Sequence, residues 1–430
     1  MKLKRLAVCL VTLLISSETS AQWTEVNVTP NHTAKSYDFL DDNIGYASFQ
    51  NMTTGLFELA KTIDGGDNWI IINPPDSAWD FKDISVPEDS VIYVVSRDLS
   101  LSVPNKSKIF KSNDDGATWI DLTPDTTNIG MGFAVVYFVD ALVGYWGIAD
   151  KLYKTVDGGV NWAEPNLPLG YYIQSIHFND ANNGVLGTWD GTFAYLGGVL
   201  STNDGGITWR DTTFGTGSST VGTVKQTSEN VTYAGTAGWG SNGSLLFKTT
   251  DNGTTWTEVS IPDTLSNTML RTFDFIDDNA GFIVEESNDT TYLYKTVDGG
   301  VSWSLNQVID TNYLSEIHLT SNTGYLTGNL NQFFKLQSPT GIMGFSTVNS
   351  IMAYPNPSSG RFMMEIQIEE PQNMVLRILS ILGEEVFVEK LNISTGLYRR
   401  EFDLQDNAKG IYMLHVTTDL GVKSLKMVLD

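Results

Sequence analysis

Residues 154–162 read KTVDGGVNW, and closely similar nonapeptides occur at five other places in this 430-residue chain. Their tryptophans follow one another at steps of 43 to 50 residues. A period of about 40 to 50 residues in short strands is typical of the blades of a β-propeller. The other copies are KTIDGGDNW at 61–69, KSNDDGATW at 111–119, STNDGGITW at 201–209, KTTDNGTTW at 248–256 and KTVDGGVSW at 295–303.

Each nonapeptide has the composition of a hairpin turn that leads into a strand. We expect its aspartate to accept a backbone N–H from two residues further on, as in an Asx-turn. The glycines permit a positive φ without a Cβ clash, and the tryptophan supplies a large apolar side chain for packing. We assign this structural role to Asp64, Trp69, Asp114, Trp119, Asp157, Trp162, Asp204, Trp209, Asp251, Trp256, Asp298 and Trp303.

A second pattern precedes most of the nonapeptides. Two runs of alternating apolar and polar residues are joined by an acidic or Asn-containing turn and a glycine, as in FLDDNIGYASF at 39–49 and HFNDANNGVLGT at 177–188. One copy, HLTSNTGYLTG at 318–328, follows the last nonapeptide. Such runs predict two strands joined by a tight turn, the inner half of a blade.

The two ends of the repeat region predict how the blades close. Trp23 to Val28 is similar to the strand after a nonapeptide, and Trp23 precedes Trp69 by 46 residues, one further period. The pair of inner strands predicted after Trp303 is not followed by a nonapeptide. We therefore predict an all-β chain with a seven-bladed propeller over residues 22–337, in which the N-terminal strand completes the last blade and leaves no free edge.

The nonapeptides resemble the Asp-box, or BNR repeat, of bacterial sialidases and related propellers, whose pattern is S/T-x-D-x-G-x-x-W. Together with the glycine-aromatic turns, they also resemble the repeats of photosystem II assembly factors over roughly residues 36–337. The resemblance implies a propeller fold. It does not imply the assembly factors' role, because nothing in the sequence indicates a photosynthetic partner.

The N-terminus is predicted to be a signal peptide over residues 1–21. Lys2, Lys4 and Arg5 precede an apolar run at 6–15, and Thr19-Ser20-Ala21 suits cleavage. The single cysteine, Cys9, lies within this segment, so we expect no disulfide or thiolate site in the mature chain. No later segment is apolar enough to span a membrane, and a net charge of −24 argues against a nucleic-acid partner.

The repeat pattern stops at about Ser338. Residues 338–350 have the composition of a linker, and residues 351–430 contain short alternating runs at 362–368, 374–379, 385–390, 397–404, 411–416 and 422–428. This spacing predicts a small C-terminal β-sandwich.

Residues 351–430 resemble the C-terminal sorting domain of the type IX (Por) secretion system, through YPNP at 354–357, ILGEEV at 381–386, GIYMLHV at 410–416 and GVKSLKMVL at 421–429. The resemblance implies export across the outer membrane of a Bacteroidetes-type bacterium, with the secretion machinery as a partner. The protein would then be secreted or attached to the cell surface. The residues that carry the motif are Tyr354, Pro355, Asn356, Pro357, Gly360, Gly410, Tyr412 and Lys426.

Aromatic residues on or near the predicted inner strands and loops could stack on a ligand. We select Trp79, Trp146, Trp189, Asp190, Tyr195 and Trp239 as binding residues for a glycan or a protein. The four histidines show no metal-ligand spacing, and the Asp-box aspartates lack the EF-hand pattern, so we predict no metal and no cofactor.

We find no complete set of catalytic residues. The repeat region contains only Arg97, Arg210 and Arg271, which argues against a sialidase, because that enzyme needs an arginine triad around one pocket. The interpretation we favour is a non-catalytic binding or scaffold propeller. The alternative is a glycoside hydrolase that uses two carboxylates in the central funnel of the propeller. The candidate carboxylates are Asp80, Asp98, Asp190 and Glu285.

Overall fold

The structure is a computed structural model. It describes residues 22–26, 32–75, 79–98, 107–124, 134–168, 170–190, 197–214, 219–238, 244–262, 269–287, 290–310, 314–321, 323–328, 332–337, 348–368, 372–380, 385–393, 396–405, 407–418 and 421–429. Every helix or strand assigned in these ranges is a β-strand, which confirms the all-β class.

The strands of residues 22–337 form seven small antiparallel sheets in the described part of the chain. Strand β1 is Gln22–Glu25. Sheet 1 contains β2 (His32–Phe39), β3 (Gly45–Asn51), β4 (Phe57–Thr62) and β5 (Ile70–Ile72). Sheet 2 contains β6 (Trp79–Glu88), β7 (Val91–Asp98), β8 (Ser107–Ser112) and β9 (Ile120–Asp121), and sheet 3 contains β10 (Ala134–Phe138), β11 (Gly144–Ile148) and β12 (Lys151–Thr155).

The next four sheets repeat this order. Sheet 4 contains β13 (Tyr172–Phe178), β14 (Gly184–Trp189), β15 (Gly197–Thr202) and β16 (Arg210–Thr213), and sheet 5 contains β17 (Ser219–Gln226), β18 (Thr232–Gly238), β19 (Leu246–Thr249) and β20 (Thr257–Val259). Sheet 6 contains β21 (Met269–Phe275), β22 (Gly281–Ser287), β23 (Thr290–Thr296) and β24 (Ser304–Ile309). Sheet 7 contains β25 (Leu314–Leu319), β26 (Gly324–Gly328) and β27 (Phe333–Gln337), and β1 is its fourth strand.

The N-terminal strand joins the last sheet, as the sequence predicts. Strand β1 pairs antiparallel with β27, and Trp23 lies opposite Leu336. The side chain of Gln307 in sheet 6 fixes β1 further, because it accepts the Trp23 N–H at 2.7 Å and donates to the Trp23 carbonyl at 2.9 Å. That the sheets are the seven blades of one ring stays a prediction.

The Asp-box turns are held by a hydrogen-bond pattern that differs from the expected Asx-turn. Asp157 accepts the backbone N–H of Asn161, four residues further on, at 2.9 Å, and its other carboxylate oxygen accepts the Asn161 amide at 2.7 Å. Thr155 Oγ1 donates to Asp157 and accepts the Gly159 N–H. The prediction of a donor two residues on is therefore wrong, because two successive glycines at positive φ, 71° and 91°, bring the chain back later.

All six boxes share this pattern of bonds. In the other five, the N–H four residues on that binds the aspartate comes from Asn68, Thr118, Thr208, Thr255 and Ser302. Hydrogen bonds to a carboxylate favour its ionised form. In box 3, counting the six boxes in chain order, the Asn161 donors therefore lower the pKa of Asp157. The box is thus a self-contained turn that leaves its glycine carbonyls for other partners.

The glycine of the inner hairpin is needed because an aromatic ring lies on it. A Cβ built on Gly184 would lie 2.2 Å from the ring of Phe178, much closer than van der Waals contact. The other face of the Phe178 ring stacks on Tyr145 of the preceding sheet, with 3.8 Å between centroids. The same stacking joins Tyr93 to Phe138, Tyr233 to Phe275, and Tyr325 to Phe39.

In five of the seven sheets, a tyrosine and a lysine lie opposite each other on neighbouring strands, and in sheets 3 and 5 both reach the box of the next sheet. Tyr145 and Lys154 lie opposite each other in register, and both donate to the Gly205 carbonyl, at 3.2 and 2.6 Å. Tyr233 and Lys248 make the same two bonds to the first glycine of box 6. We call this pair the Tyr–Lys clasp. Its cross-strand counterparts in sheets 1, 2 and 7 are Tyr46–Lys61, Tyr93–Lys111 and Tyr325–Lys335.

The hydrophobic cores lie between successive sheets. Tyr93, Val95 and Ile109 of sheet 2 form one core with residues of sheet 3 that include Trp146. Another core combines sheet 7 with sheet 1, through Tyr325 and other aromatic residues that include Phe333, Phe39 and Phe49. Since burial of apolar surface is the main driving force of folding, each sheet is stabilised by its two neighbours.

Residues 348–429 form a separate pair of sheets around one core. Sheet 8 contains β28 (Val348–Tyr354), β29 (Arg361–Ile368) and β32 (Gly396–Asp403), and sheet 9 contains β30 (Gln372–Ser380), β31 (Glu385–Ile393), β33 (Gly410–Thr418) and β34 (Gly421–Leu429). Phe362 and Phe402 of sheet 8 share a core with Leu376 and Leu414 of sheet 9, the arrangement of a β-sandwich. The first strand begins at Val348, inside the predicted linker, because Val348 pairs with Ile368.

We expect Thr155→Val to lower the free energy of unfolding by about 1–3 kcal/mol, because the buried N–H of Gly159 loses its acceptor without a change in side-chain shape. Thr155 is 1% exposed. The matched control is Val156→Thr at the adjacent residue, 66% exposed, which should change stability by less than about 0.5 kcal/mol. Equal denaturant midpoints for both variants would contradict the role of the threonine.

Candidate functional site

An aromatic patch lies at one end of sheet 4. Tyr172 begins β13 and Trp189 ends β14, and the two residues are direct cross-strand neighbours. Their ring centroids are 5.4 Å apart at an interplanar angle of 40°, and both side chains are half-buried. With the half-buried Tyr171 they form what we call the sheet 4 aromatic patch. Box 4 lies at the opposite end of the strands, because it connects β15 to β16.

Two carboxylates lie beside this patch. The Tyr171 hydroxyl donates to Asp211 at 2.8 Å. Burial, this hydrogen bond and the charges of Asp211 and Asp190 raise the pKa of Tyr171 to about 12. Asp190 directly follows Trp189 and is half-buried. The patch therefore offers aromatic surface with acids at its edge, a combination that suits sugar hydroxyls or a polar peptide.

The structure places the other selected binding residues differently. Trp146 is fully buried, with its indole against Tyr153 and Trp162. Its selection as a ligand contact is therefore wrong, because strand β11 is covered on both faces by neighbouring sheets. Trp79 begins β6, but its side chain lies outside the described residues, as do Tyr195 and Trp239 entirely.

Acidic residues on other sheets near the same edge are paired with cations. Asp80 forms ion pairs with Lys82 and, at 3.8 Å, with Arg97. Glu286 accepts a hydrogen bond from Arg271 Nε at 2.6 Å. Of the carboxylates proposed for a hydrolase, Glu285 is 1% exposed, and the Asp98 side chain lies outside the described residues. Within the described chain, these acids are held by salt bridges or buried.

A second group of polar residues occupies equivalent positions in the seven sheets. Each is the residue of the first strand that pairs with the clasp tyrosine of the second strand, or with the residue at the position of that tyrosine, for example Asp38 with Tyr46 and His177 with Val185. We call this set the channel ring. It consists of Asp38, Ser85, Tyr137, His177, Lys225, Asp274 and His318.

Side chains of the channel ring bind the backbone of the next sheet. Asp38 accepts the Val86 N–H at 2.7 Å, and Ser85 accepts the Phe138 N–H at 3.0 Å. The remaining bonds between successive sheets are Tyr137 to the Phe178 carbonyl, the Gln226 N–H to His177, Lys225 to Asp274 and the Leu319 N–H to Asp274. Between sheet 7 and sheet 1, the ring residues His318 and Asp38 lie 3.7 Å apart, from Nδ1 to Oδ1.

Sequence reasoning missed this ring, although a signal for it exists. Each ring residue directly precedes the residue that leads into the inner turn, as in YDFLDD and IHFND. Only alignment of the repeats by this turn brings the seven positions together. The residues at this one repeat position differ in chemistry from sheet to sheet. This diversity indicates that the position faces a space common to the sheets and not a hydrophobic core that repeats from sheet to sheet.

Protonation of the ring region is strongly perturbed. Burial raises the pKa of Asp38 to about 7, and the nearby charge of Asp83 adds to the rise. Burial likewise raises the pKa of Asp83 to about 6 and lowers the pKa of His318 to about 4. Asp38 and His318 are 3.7 Å apart, with side chains 25% and 26% exposed. A quarter of each side chain thus remains accessible to solvent even though the group lies deep among the sheets.

The described residues contain no group of three or more His, Cys, Asp or Glu side chains arranged to hold a metal ion. Nor does the described part of the chain include a helix long and apolar enough to cross a membrane.

The motif residues of the C-terminal unit join its beginning to its last strand. Asn356 Oδ1 accepts the Val428 N–H at 3.0 Å, and the Ser358 N–H donates to the Val428 carbonyl at 2.8 Å. Gly360, at φ 107°, donates to Ser358 and lies directly on the backbone of Gln405. The YPNPSSG segment is therefore joined to the last strand, β34, by hydrogen bonds to the strand's backbone.

The other motif residues lie in the same unit. The Tyr354 hydroxyl donates to Glu365 at 2.5 Å, and the buried Tyr412 donates to the Ala408 carbonyl at 2.7 Å. Pro355 and Pro357 are exposed beside Asn356, and Gly410 begins β33 at φ 148°. Lys426 pairs with Met413 through its backbone, and its side chain lies outside the described residues.

Comparison with known proteins identifies the C-terminal unit. Residues 352–430 match the family model described as a secretion system C-terminal sorting domain, the Por secretion tail. No match was found among curated protein sequences. The sorting domain implies export, to the medium or the cell surface, through the type IX machinery.

Solved structures similar to the chain are β-propellers. YCF48 bound to a D1 peptide matches at a TM-score of 0.56 and 16% identity, over 74% of this chain and 97% of that one. The GH74 xyloglucanase from Xanthomonas campestris matches at 0.47 and 13%, over 94% and 75%, and the Dos1 propeller at 0.46 and 9%, over 71% and 78%. At these identities the likeness concerns the fold alone.

The channel ring predicts opposite pH dependences for two substitutions. A carboxyl group whose pKa is higher in the folded than in the unfolded protein stabilises the fold at low pH, and this stabilisation is lost as the pH rises to the folded-state pKa. A histidine whose pKa is lower in the folded than in the unfolded protein stabilises the fold at high pH, and this stabilisation is lost as the pH falls to the folded-state pKa. Relative to the unchanged protein, Asp38→Asn should therefore gain stability as the pH rises from about 4 to about 7. His318→Gln should gain as the pH falls from about 6.5 to about 4.

Denaturant unfolding from pH 4 to 8 measures both differences. Leu305→Ala, at an exposed residue of sheet 6, is the control and should give a difference that does not vary with pH, because it removes no titratable group. A pH-independent difference for Asp38→Asn as well would contradict the perturbed environment of the ring.

Proposed function

We propose that this chain is exported by the type IX secretion system and acts at the cell surface as a non-catalytic binding or scaffold propeller. Its ligand, a glycan or a protein segment, would contact the sheet 4 aromatic patch and the loops next to it. The observation that carries the proposal is the half-buried Tyr172–Trp189 pair with Asp190 and Asp211 at its edge.

The use of the polar groups supports binding rather than catalysis. Asp38 accepts a backbone N–H from the next sheet, and Asp83 accepts those of Ile84 and Val136. Asp274 accepts the Leu319 N–H and pairs with Lys225. Carboxylates in such bonds stabilise the contacts between sheets, and a substrate would have to replace a backbone donor to reach them.

The architecture is also suited to binding. Propeller loops on the side away from the Asp-boxes surround the inner strands, and loops on a rigid scaffold commonly carry recognition residues. A propeller of similar fold, YCF48, has been solved with a peptide bound, which is compatible with a protein segment as ligand here. Aromatic side chains provide contact area for either class of ligand.

A glycoside hydrolase remains the rival function, and one observation favours it. A general acid needs a carboxyl group that stays protonated near neutral pH, and the pKa values of Asp38 and Asp83, about 7 and about 6, meet this requirement.

The first test is export. Deletion of residues 348–430, the whole C-terminal unit, should leave the propeller in the periplasm of a type IX-competent host, because the sorting signal is lost. Fractionation and surface labelling measure the distribution, and protease resistance of the periplasmic form shows that it is folded. Undiminished surface display of the folded truncated protein would refute export by this domain.

The second test is binding. A glycan array and a peptide library should give ligands whose affinity falls about tenfold or more in the double variant Tyr172→Ala, Trp189→Ala, because each aromatic contributes about 1 kcal/mol or more at a contact. Leu305→Ala, at an exposed apolar residue of sheet 6 (53% exposed), is the control.

A polysaccharide hydrolysis screen runs beside the binding test. We expect no release of reducing ends above background. Turnover that disappears in Asp190→Asn or Asp38→Asn, with the fold retained, would establish the hydrolase instead.

A further inference from the structure

The contact between sheets 4 and 5 lacks the Tyr–Lys clasp. At the two clasp positions sheet 4 has Val185 and Ser201, which lie opposite each other in register. Both are much shorter than the residues they replace. The donors that other sheets extend into the next box are therefore missing at box 5.

A different residue takes over part of the clasp. Arg210 directly follows the box tryptophan Trp209, and its Nη1 donates to the Asn252 carbonyl at 2.8 Å. Asn252 occupies the position of the first box glycine, whose carbonyl the clasp binds in sheets 3 and 5. The guanidinium thus reaches box 5 from the outer strand β16, while the short side chain of Ser201 lies against Gly253 of the same box.

A cavity of about 150 Å³ lies beside this contact, between boxes 4 and 5. Its lining consists of Ser201, Thr202, Asn203, Thr208, Trp209, Arg210 and Asn252. The lining thus contains a guanidinium, two amides, three hydroxyls and an indole, and none of these groups is a carboxylate. Two of the hydroxyls, those of Thr202 and Thr208, already donate to the box acid Asp204, which leaves the Ser201 hydroxyl for a ligand.

The donors around this cavity suit an anion. In a chain with net charge −24, this lining includes an arginine and no acid, and the adjacent Asp204 carboxylate is held by Thr202 and Thr208. A guanidinium keeps its charge at all relevant pH values and recognises carboxylates through two parallel N–H groups. One N–H group of Arg210 is engaged by Asn252, so the others remain available to a ligand.

We propose that the cavity between boxes 4 and 5 is a binding site for a small carboxylate, held by Arg210 with Asn203, Asn252 and Ser201. A cavity of about 150 Å³ accommodates a molecule about the size of benzene, so a short acid, or the carboxylate end of a sugar acid, would fill it. The carboxylate belongs either to a free acid or to the uronate of an acidic glycan. The site lies on the box side and is separate from the sheet 4 aromatic patch.

Three probes distinguish these sources. Isothermal titration of the full mature chain uses sodium glucuronate, sodium acetate and glucose. We expect binding of glucuronate, and binding of glucose at least tenfold weaker, because charge-assisted hydrogen bonds to arginine are about twice as strong as neutral ones. Acetate bound as tightly as glucuronate indicates a free small acid, and acetate bound more weakly indicates a uronate.

Two variants test the location. Arg210→Gln should weaken glucuronate binding at least tenfold, whereas Lys151→Gln, which removes an exposed charge paired with Glu164 on sheet 3, should leave it unchanged. Ser201→Lys with Val185→Tyr restores the residues of the clasp and fills the cavity. This filled variant should lose binding and keep or raise its thermal midpoint.

The outcomes separate clearly. Loss of binding in both Arg210→Gln and the filled variant, with intact thermal midpoints, supports the site. Equal affinity for glucose and glucuronate, absence of glucuronate binding, or binding that survives both variants overturns it. If the filled variant does not fold, Ser201→Lys alone provides the same steric test.

Discussion

A tyrosine hydroxyl and a lysine ammonium that donate to one glycine carbonyl in the next sheet connect the local sequence to the global fold. The carbonyl is available because the box turn satisfies itself, through bonds from Thr155 and Asn161 to Asp157 in box 3. The turn in turn depends on glycines at positive φ. Each part of the repeat is thus determined by a neighbour: the box by the preceding clasp, and the inner glycine by the phenylalanine that packs on it.

Much of this could be predicted from the sequence, because the signals are local and repeated. The Asp-boxes, the inner hairpins, the N-terminal strand in the last sheet and the last six strands of the C-terminal unit occur where patterns of turn residues and alternation place them. Strand β28 (Val348–Tyr354) was not predicted. The donor to the box aspartate could not be predicted, since two consecutive glycines lengthen the turn. Trp146 was misjudged because burial depends on the adjacent sheets and not on its own strand. The channel ring is visible only when residues about one repeat apart are brought together in space.

The distribution of polar groups divides the propeller into regions with different tasks. Carboxylates and imidazoles of the channel ring hold successive sheets together. The aromatic patch of sheet 4 and the cavity between boxes 4 and 5 lie at opposite ends of the same strands. Sheet 4 carries the patch and lacks both residues of the clasp, because Val185 and Ser201 occupy the clasp positions. Sheet 6 departs at one of the two positions, where Phe282 lies opposite Lys295.

Strand β1 pairs with a strand more than three hundred positions away, as the contact between Thr24 and Lys335 illustrates. Closing so long a loop costs conformational entropy before any native contact compensates it, which makes such pairings late events in folding. A chain that leaves the ribosome or a translocation pore N-terminus first must therefore keep its first strand unpaired until the propeller region is complete. The sorting unit begins at Val348, after β27 in sequence, so the address signal is synthesised only once the last propeller strand is present, and a chain truncated before β27 would lack both.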